Sequence, residues 1–205
     1  MMNERNDPRV DLYAWDRFET GEAYAPAGDG TLAHATETVG LPMWLERGET
    51  PLHIFSVSEI NFILAEAKAR TGADATANFV AGITASFEDY ALACDEELPD
   101  PADYIDALGA PTLKEIMVQK YLAQTRDEQI QTYNDIRRCK AMGTEYIVLK
   151  NPNNVQGGQN QWPVRLPYGN SDVVSNPNVS EAFGSGNNAG NYIFTDDIWL
   201  FGGTR

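Results

Sequence analysis

Side chains with catalytic potential are few in this sequence. The chain has two histidines, His34 and His53, and neither lies beside a nucleophile elbow that would complete a Ser/His/Asp site. Dinucleotide and phosphate loops, a zinc-binding HExxH helix and an EF-hand loop are absent from the sequence. We therefore expect ordinary surface or half-buried roles for both histidines.

Carboxylates are abundant, but their spacing selects no reaction. The segment DEELPDPAD at residues 95–103 gathers five of them, and Asp196 and Asp197 form another pair. Converging carboxylates could bind calcium, but this spacing matches no known calcium loop, so we predict no metal site. A carboxylate pair for glycoside hydrolysis stays open as a less favoured alternative, since nothing in the sequence selects a particular pair.

The aromatic side chains give the one positive indication of function. Trp and Tyr exposed on loops form flat surfaces for the apolar faces of sugars or for peptide side chains. Most aromatics in such loops are needed for packing, so we expect only one or two of the candidates to bind ligand. The candidate ligand-binding residues are Trp15, Tyr24, Trp44, Trp162 and Tyr168.

Composition sets limits on the partners. The 205 residues carry a formal net charge of −15, which argues against binding to nucleic acid because that binding depends on Lys and Arg. No stretch approaches the roughly 20 apolar residues of a membrane helix, and the N-terminus has no apolar signal-peptide core. Cys94 and Cys139 form no motif, and we expect both to be small buried hydrophobes.

Residues 54–142 have the periodicity of helical hairpins. Ser56 with Glu59, and Thr112 with Glu115, have the spacing of capping boxes at helix starts. For the first helix we predict a buried face of Ile60, Ile63, Leu64 and Ala67, a surface pair of Glu66 with Arg70, and a stop at Gly72.

The later helices follow the same periodicity. A second helix should begin near Asp74 and bury Phe79, Ile83, Phe87 and Tyr90, and the helix that begins at Thr112 should bury Leu113, Ile116, Met117 and Tyr121. A helix over about 127–142 should pack through Ile130, Tyr133 and Ile136. One of Arg137 and Arg138 should turn inward, as a clamp on the tail. Two hairpins of this kind are typical of tetratricopeptide-like units, although the consensus of that repeat is absent.

Residues 144–205 lose this period. Asn, Gly, Pro and Ser dominate there, with large aromatic side chains between them, so we predict an irregular tail that is packed rather than a linker. Pro167, Gly169 and Pro177 are typical turn formers, and we interpret residues 161–179 as a packing loop first and a ligand loop second. We treat residues 1–205 as a single, mainly α domain with long irregular loops.

Several separated segments occur in the order seen in the C-terminal part of SusD/RagB-type proteins, and together they cover nearly the whole chain. The chain resembles that family through RNDPRVDLYA, SEINFILAEAKART, ANFVAGITASFEDY, IMVQKYLAQ, YNDIRR, WPVRLPYGNSDVVSNPNV and the terminal WLFGGTR.

The resemblance implies a nutrient-binding lipoprotein on the outer face of the outer membrane of Bacteroidetes. Such proteins capture glycans, sometimes peptides, and cover a TonB-dependent, SusC-like transporter. They have no enzymatic activity and use no cofactor, and their fold is a right-handed superhelix of tetratricopeptide-like helices. Family members are several hundred residues long and begin with a lipidated cysteine, so we expect this chain to be a C-terminal portion without the anchor. A helical-repeat adaptor that binds a protein partner is the main alternative.

Overall fold

Helices form all of the regular secondary structure in the residues that the computed structural model describes, which are 1–13, 42–46, 53–150, 158–179 and 192–195. The mainly α prediction is confirmed. The α-helices are α1 (Val10–Tyr13), α2 (Val57–Thr71), α3 (Thr76–Cys94), α4 (Ala102–Leu108), α5 (Leu113–Gln124), α6 (Gln129–Ala141), α7 (Asn170–Ser175) and the short helix Tyr192–Thr195, with 3₁₀ turns at Asn3–Arg5 and Met43–Glu46.

The starts of α2 and α5 are fixed by the predicted caps. The Ser56 hydroxyl accepts the Glu59 N–H at 3.0 Å, and the Thr112 hydroxyl accepts the Glu115 N–H at 3.2 Å. Gly72, at φ +76°, ends α2 in the left-handed conformation that glycine adopts without strain. These helix boundaries are confirmed. They could be predicted from the sequence because they depend on local hydrogen bonds.

The start of α3 differs slightly from the prediction. Its first helical residue is Thr76, and Ala75 occupies the cap position. The Asp74 carboxylate accepts the Thr76 N–H at 2.9 Å, so Asp74 forms a turn just ahead of the helix. The predicted stripe of α3 is confirmed, since Phe79, Ile83, Phe87 and Tyr90 are all buried.

The buried face of α2 is not the predicted one. Ile60, Ile63 and Leu64 are 41%, 41% and 46% exposed, and Ala67 is exposed as well. The helix instead buries Phe62 and Ala65, together with the carboxylates of Glu59 and Glu66.

Close packing against α3 explains why α2 buries the face that contains Phe62. A Cβ at Gly82 of α3 would lie 3.0 Å from the Phe62 ring, so the absence of a side chain there makes room for the ring. The predicted face was wrong because the prediction assigned only apolar side chains to the interior and so placed Glu59 and Glu66 on the surface.

The face of α6 is also partly different from the prediction. Ile130 is 78% exposed, whereas Thr132 and Cys139 are buried and Tyr133 and Ile136 are half-buried. In α5, Ile116 and Met117 are buried as predicted, and Leu113 and Tyr121 are half-buried. Cys94 and Cys139 are both buried, as predicted.

Glu66 forms a buried ion cluster where a surface pair was predicted. Arg70 donates to Glu66 Oε1 at 2.7 Å, as the spacing predicted, but Arg138 of α6 donates to both Glu66 oxygens at 2.7 and 2.8 Å. Arg138 also donates to Asp135 at 2.8 Å. These partners belong to α2 and α6, so Arg138 joins two helices, and a clamp of Arg137 or Arg138 on the tail stays a prediction. Its neighbour Arg137 lies over the Tyr133 ring, at 6.0 Å from the centroid.

The N-terminal segment is fixed to the helices by a buried ion pair. Asp7 and Arg9 are fully buried, and two hydrogen bonds join them at 2.6 and 2.9 Å. The Arg9 guanidinium also donates to Ser86 Oγ of α3 at 2.7 Å and to Gln119 Oε1 of α5 at 2.8 Å. The Tyr104 hydroxyl of α4 donates to Asp7 at 3.0 Å. This network therefore connects the segment before α1 to three helices.

A second buried polar group joins the start of α2 to the start of α6. Glu128 accepts the Ser56 N–H at 3.1 Å, which is the bond that Glu59 would accept in a complete capping box. Glu59 and Glu128 are both buried. Burial raises the pKa of Glu59 to about 7, with further contributions from the charge and hydrogen bond of Glu128, while Lys120 opposes the shift. Glu59 is thus a carboxyl group that favours its neutral form in the folded state.

The chain divides into two compact units. The first unit contains residues 1–26 and 35–148, and the second contains residues 27–34 and 149–205. In the described part of the second unit, the Val164 N–H donates to the Ile193 carbonyl at 2.7 Å, and α7 and the helix Tyr192–Thr195 are the regular elements. That residues 1–205 form a single domain, with residues 144–205 as a packed tail, stays a prediction.

We expect Arg9→Met to destabilise the protein by about 3–5 kcal/mol, because the substitution leaves Asp7 as a buried charge without its cation. Chemical denaturation gives the change in free energy of unfolding. Arg137→Met is the matched control, since Arg137 is only half-buried. Equal losses in the free energy of unfolding for the two variants would show that the Arg9 network does not fix the N-terminal segment to the helices.

Glu59 should make stability fall as pH rises from about 4.5 to 7. The unfolded chain ionises this group near its ordinary pKa of 4.5 and the folded chain near 7, so the unfolded state loses its proton first. Glu59→Gln removes the titration while keeping a neutral side chain. The stability of Glu59→Gln relative to wild type should therefore increase across this range and level off above pH 7.

Urea denaturation at a series of pH values measures this difference, with the same substitution at the exposed Glu145 as the control. A stability difference for Glu59→Gln that does not change with pH would contradict the assignment.

Candidate ligand-binding surfaces

Trp44 lies in the 3₁₀ turn Met43–Glu46 and contacts two tyrosines. Its ring meets those of Tyr13 and Tyr90 edge-on, with centroid separations of 5.5 Å in both cases. Trp44 is half-buried and packs against the small cluster of Leu12, Tyr90 and Cys94. Much of its surface is therefore engaged in packing, and a role in ligand binding stays a prediction.

Tyr168 belongs to an arginine–tyrosine stack in the second unit. The Arg165 guanidinium lies 5.1 Å from the Tyr168 ring centroid and 5.4 Å from that of Tyr192. The Tyr168 N–H donates to the Tyr192 hydroxyl at 3.1 Å, and the two ring centroids are 6.4 Å apart. We call Arg165, Tyr168 and Tyr192 the tyrosine stack. Sequence reasoning missed Tyr192, because no spacing signal links residues 24 positions apart.

The tyrosine stack combines a fixed ring with access to solvent. Tyr168 is 37% exposed, whereas Arg165 and Tyr192 are half-buried. Trp162, three residues before Arg165, is half-buried, and its indole nitrogen is a buried donor with no hydrogen-bond partner among the described residues. Of the predicted candidates that the structure describes, Tyr168 is the most exposed.

The remaining predicted positions lie outside the described residues. Trp15 and Tyr24 are the two ligand-binding candidates among them, and His34 and the pair Asp196 and Asp197 are likewise outside. Trp162 and Tyr168 both belong to the second unit, and Trp44 belongs to the first.

His53 lies in a charged pocket that the sequence did not indicate. Its Nε2 is 3.9 Å from Asp89 Oδ1, its Nδ1 is 3.7 Å from Asp127 Oδ2, and Arg126 pairs with Asp127 at 2.6 Å. Burial raises the pKa of Asp89, and the charges of His53 and Arg126 oppose that effect. The neighbouring Ser56 hydroxyl contacts Ser58 and Glu128, so it serves the cap of α2. We interpret the pocket as a polar junction within the first unit.

The acidic connector and the pair of Glu59 and Glu128 have different surroundings. Asp95, Glu96, Glu97, Asp100 and Asp103 are all exposed, as predicted for a solvated connector. Glu59 and Glu128 lie together but are buried, and both serve the packing of α2 against α6. Within the described ranges, no group of three or more His, Cys, Asp or Glu side chains could hold a metal ion.

No described helix is both long and apolar enough to cross a membrane.

No curated protein matches the chain. A solved structure described as a SusD/RagB family protein from Bacteroides thetaiotaomicron is similar, with 30% sequence identity and a TM-score of 0.65. The match covers 83% of this chain and 40% of that one, so this chain corresponds to less than half of its relative.

A family model agrees with this structural match. The SusD-like model whose description is "Starch-binding associating with outer membrane" matches residues 1–169, which is most of the chain. The motifs that carry the resemblance in the first unit are also the ones that form its core, from the Arg9 network to α6. The chain therefore belongs to the SusD-like family.

Proposed function

We propose that this protein captures oligosaccharide at the outer face of the outer membrane, without catalysis, and delivers it to a TonB-dependent, SusC-like transporter. The match of residues 1–169 to a family described as starch-binding and associated with the outer membrane carries this proposal. Peptide is the alternative ligand. Attachment to the membrane would be through a lipid anchor.

The tyrosine stack is the described surface that best suits a sugar. Tyr168 offers an exposed ring that Arg165 and Tyr192 hold in place from within the unit. A rigid aromatic ring binds the apolar face of a sugar at little entropic cost, and nearby backbone and amide groups can accept and donate hydrogen bonds. We place the site at Tyr168 with Trp162 beside it, and we keep Trp15, Tyr24 and Trp44 as further candidates.

A non-catalytic role is supported by the way in which the reactive side chains are used. Ser56 caps α2, the buried carboxylates pair with arginines or with each other, and His53 lies between two aspartates. Each of these groups has a structural task in the first unit. A glycosidase would need two carboxylates about 5–10 Å apart on either side of an accessible cleft.

A helical-repeat adaptor is a second candidate because α2 exposes apolar side chains. Phe55, Val57, Ile60, Ile63 and Leu64 are between 41% and 63% exposed, and they lie on or just before one helix. Soluble proteins seldom leave apolar side chains in such a group without a partner surface. In this function the partner would be another polypeptide and not a glycan.

We expect Tyr168→Ala to weaken binding to amylopectin about 2- to 13-fold, the equivalent of the roughly 0.5–1.5 kcal/mol that an aromatic contact contributes. Affinity gel electrophoresis measures the change. Tyr168→Phe keeps the ring and should keep the binding, and Trp15→Ala tests the candidate outside the described residues.

Binding that is insensitive to Tyr168→Ala but lost in Trp15→Ala would move the site to the N-terminal segment. If the wild-type chain is retarded by no glycan and binds no peptide in a panel, capture by this chain is contradicted. Binding of a protein partner that Leu64→Asn abolishes would then favour the adaptor.

A further inference from the structure

A small cavity lies between α5 and α6 in the first unit. Each helix contributes four side chains at the spacing i, i+3, i+4 and i+7, so two matching stripes face each other across it. Ile147 and Tyr146, from the segment after α6, complete the wall. The stripes consist of Met117, Lys120, Tyr121 and Gln124 on α5, and of Thr132, Asp135, Ile136 and Cys139 on α6.

The volume of the cavity limits what can occupy it. Its volume is about 10 Å³, which is close to the minimum that holds one water molecule, and it is partly open to its surroundings. Most of the wall is apolar. The polar side chains include Gln124, Thr132 and the ion pair of Lys120 Nζ with Asp135 Oδ2, at 2.5 Å, and Tyr121 and Tyr146 carry hydroxyl groups.

Gln124 carries a polar atom that needs a partner in this cavity. The residue is 1% exposed, and its Nε2 is a buried donor with no hydrogen-bond partner among the described residues. Its Oε1 lies 3.5 Å from Thr132 Oγ1, whose single proton has a nearer acceptor in the Glu128 carbonyl at 3.1 Å. If the amide turns by 180°, Nε2 donates to Thr132 and Oε1 takes the unpartnered position instead.

The missing partner must therefore be small and able both to donate and to accept. Buried polar groups in folded proteins almost always have a hydrogen-bond partner, and internal water supplies it where the protein does not. Asp135 Oδ2 is buried in the same wall and can accept a further hydrogen bond beside Lys120. Water alone combines the required size with both hydrogen-bonding roles.

We propose that this cavity is an internal hydration site, in which one ordered water accepts from the Gln124 amide and donates to the Asp135 carboxylate. The water bridges Gln124 of α5 and Asp135 of α6, beside the direct pair of Lys120 with Asp135. It extends the polar network that begins at Glu66, Arg138 and Asp135. The proposal is independent of the ligand that the protein captures.

The test is water-selective NMR on the folded 205-residue chain labelled with ¹⁵N-glutamine. The Gln124 side-chain amide protons should show cross-relaxation to a long-lived water, with rotating-frame experiments separating it from proton exchange. Gln124→Met, which is similar in size and has no amide, removes these amide signals. For that variant we expect a high-resolution crystal structure to lack the water peak that the wild-type structure contains. Gln131→Met, on the exposed side of α6, should leave both signals intact.

Two results would overturn the proposal. One is the absence of cross-relaxation to water at Gln124 in the wild-type chain, together with an empty cavity in its electron density. The other is density for a larger solute in the cavity, since that would identify the site as a ligand pocket and not a hydration site. The wild-type measurement decides the matter even if Gln124→Met folds poorly.

Discussion

The buried pair of Arg9 and Asp7 is the constraint on which the first unit depends. A charged pair with no exposure to water is tolerable only if its remaining hydrogen-bonding groups are satisfied, and here Ser86, Gln119 and Tyr104 satisfy them. Those three partners come from α3, α5 and α4, so the pair can form only when all three helices are in place. Phe87 covers the guanidinium at 4.9 Å from its ring centroid. The N-terminal segment is thereby an integral part of the helical core.

The same principle organises the rest of the helical unit. Glu66 and Arg138 connect α2 to α6, Glu128 completes the cap of α2, and Lys120 pairs with Asp135 between α5 and α6. Tetratricopeptide-like hairpins usually pack through apolar stripes, but these helices place charged groups in the interior and join them across helix boundaries. A charge pair has a defined partner and geometry, so such contacts specify which helices are neighbours more narrowly than apolar contact does. A consequence is that apolar side chains of α2 remain on the surface.

The exposed aromatic side chain agrees with the family assignment, but it does not identify the ligand. The family model that matches is described as starch-binding and glycan binding is our proposal, whereas this chain corresponds to 40% of its solved relative. Within the described residues, the helical unit uses its reactive groups for packing, and the more exposed of the candidate aromatics is in the second unit. Aromatic surfaces accept many sugars, so the identity of the ligand depends on hydrogen-bonding groups around them. This division between a scaffold of charged contacts and a loop-borne surface is common where function is carried by loops.

The sequence by itself determined the mainly α class, the helix starts at Ser56 and Thr112, the stop at Gly72 and the buried stripe of α3, because each depends on contacts within a few residues. It also identified the family and Tyr168 as a candidate. Only the tertiary structure decided which face of α2 is buried, that Ile130 is exposed and that Tyr192 stands beside Tyr168. The reason is physical: a carboxylate is placed on the surface by any local rule, and Glu66 can be buried only because Arg138, 72 positions along the chain, is brought to it by the fold.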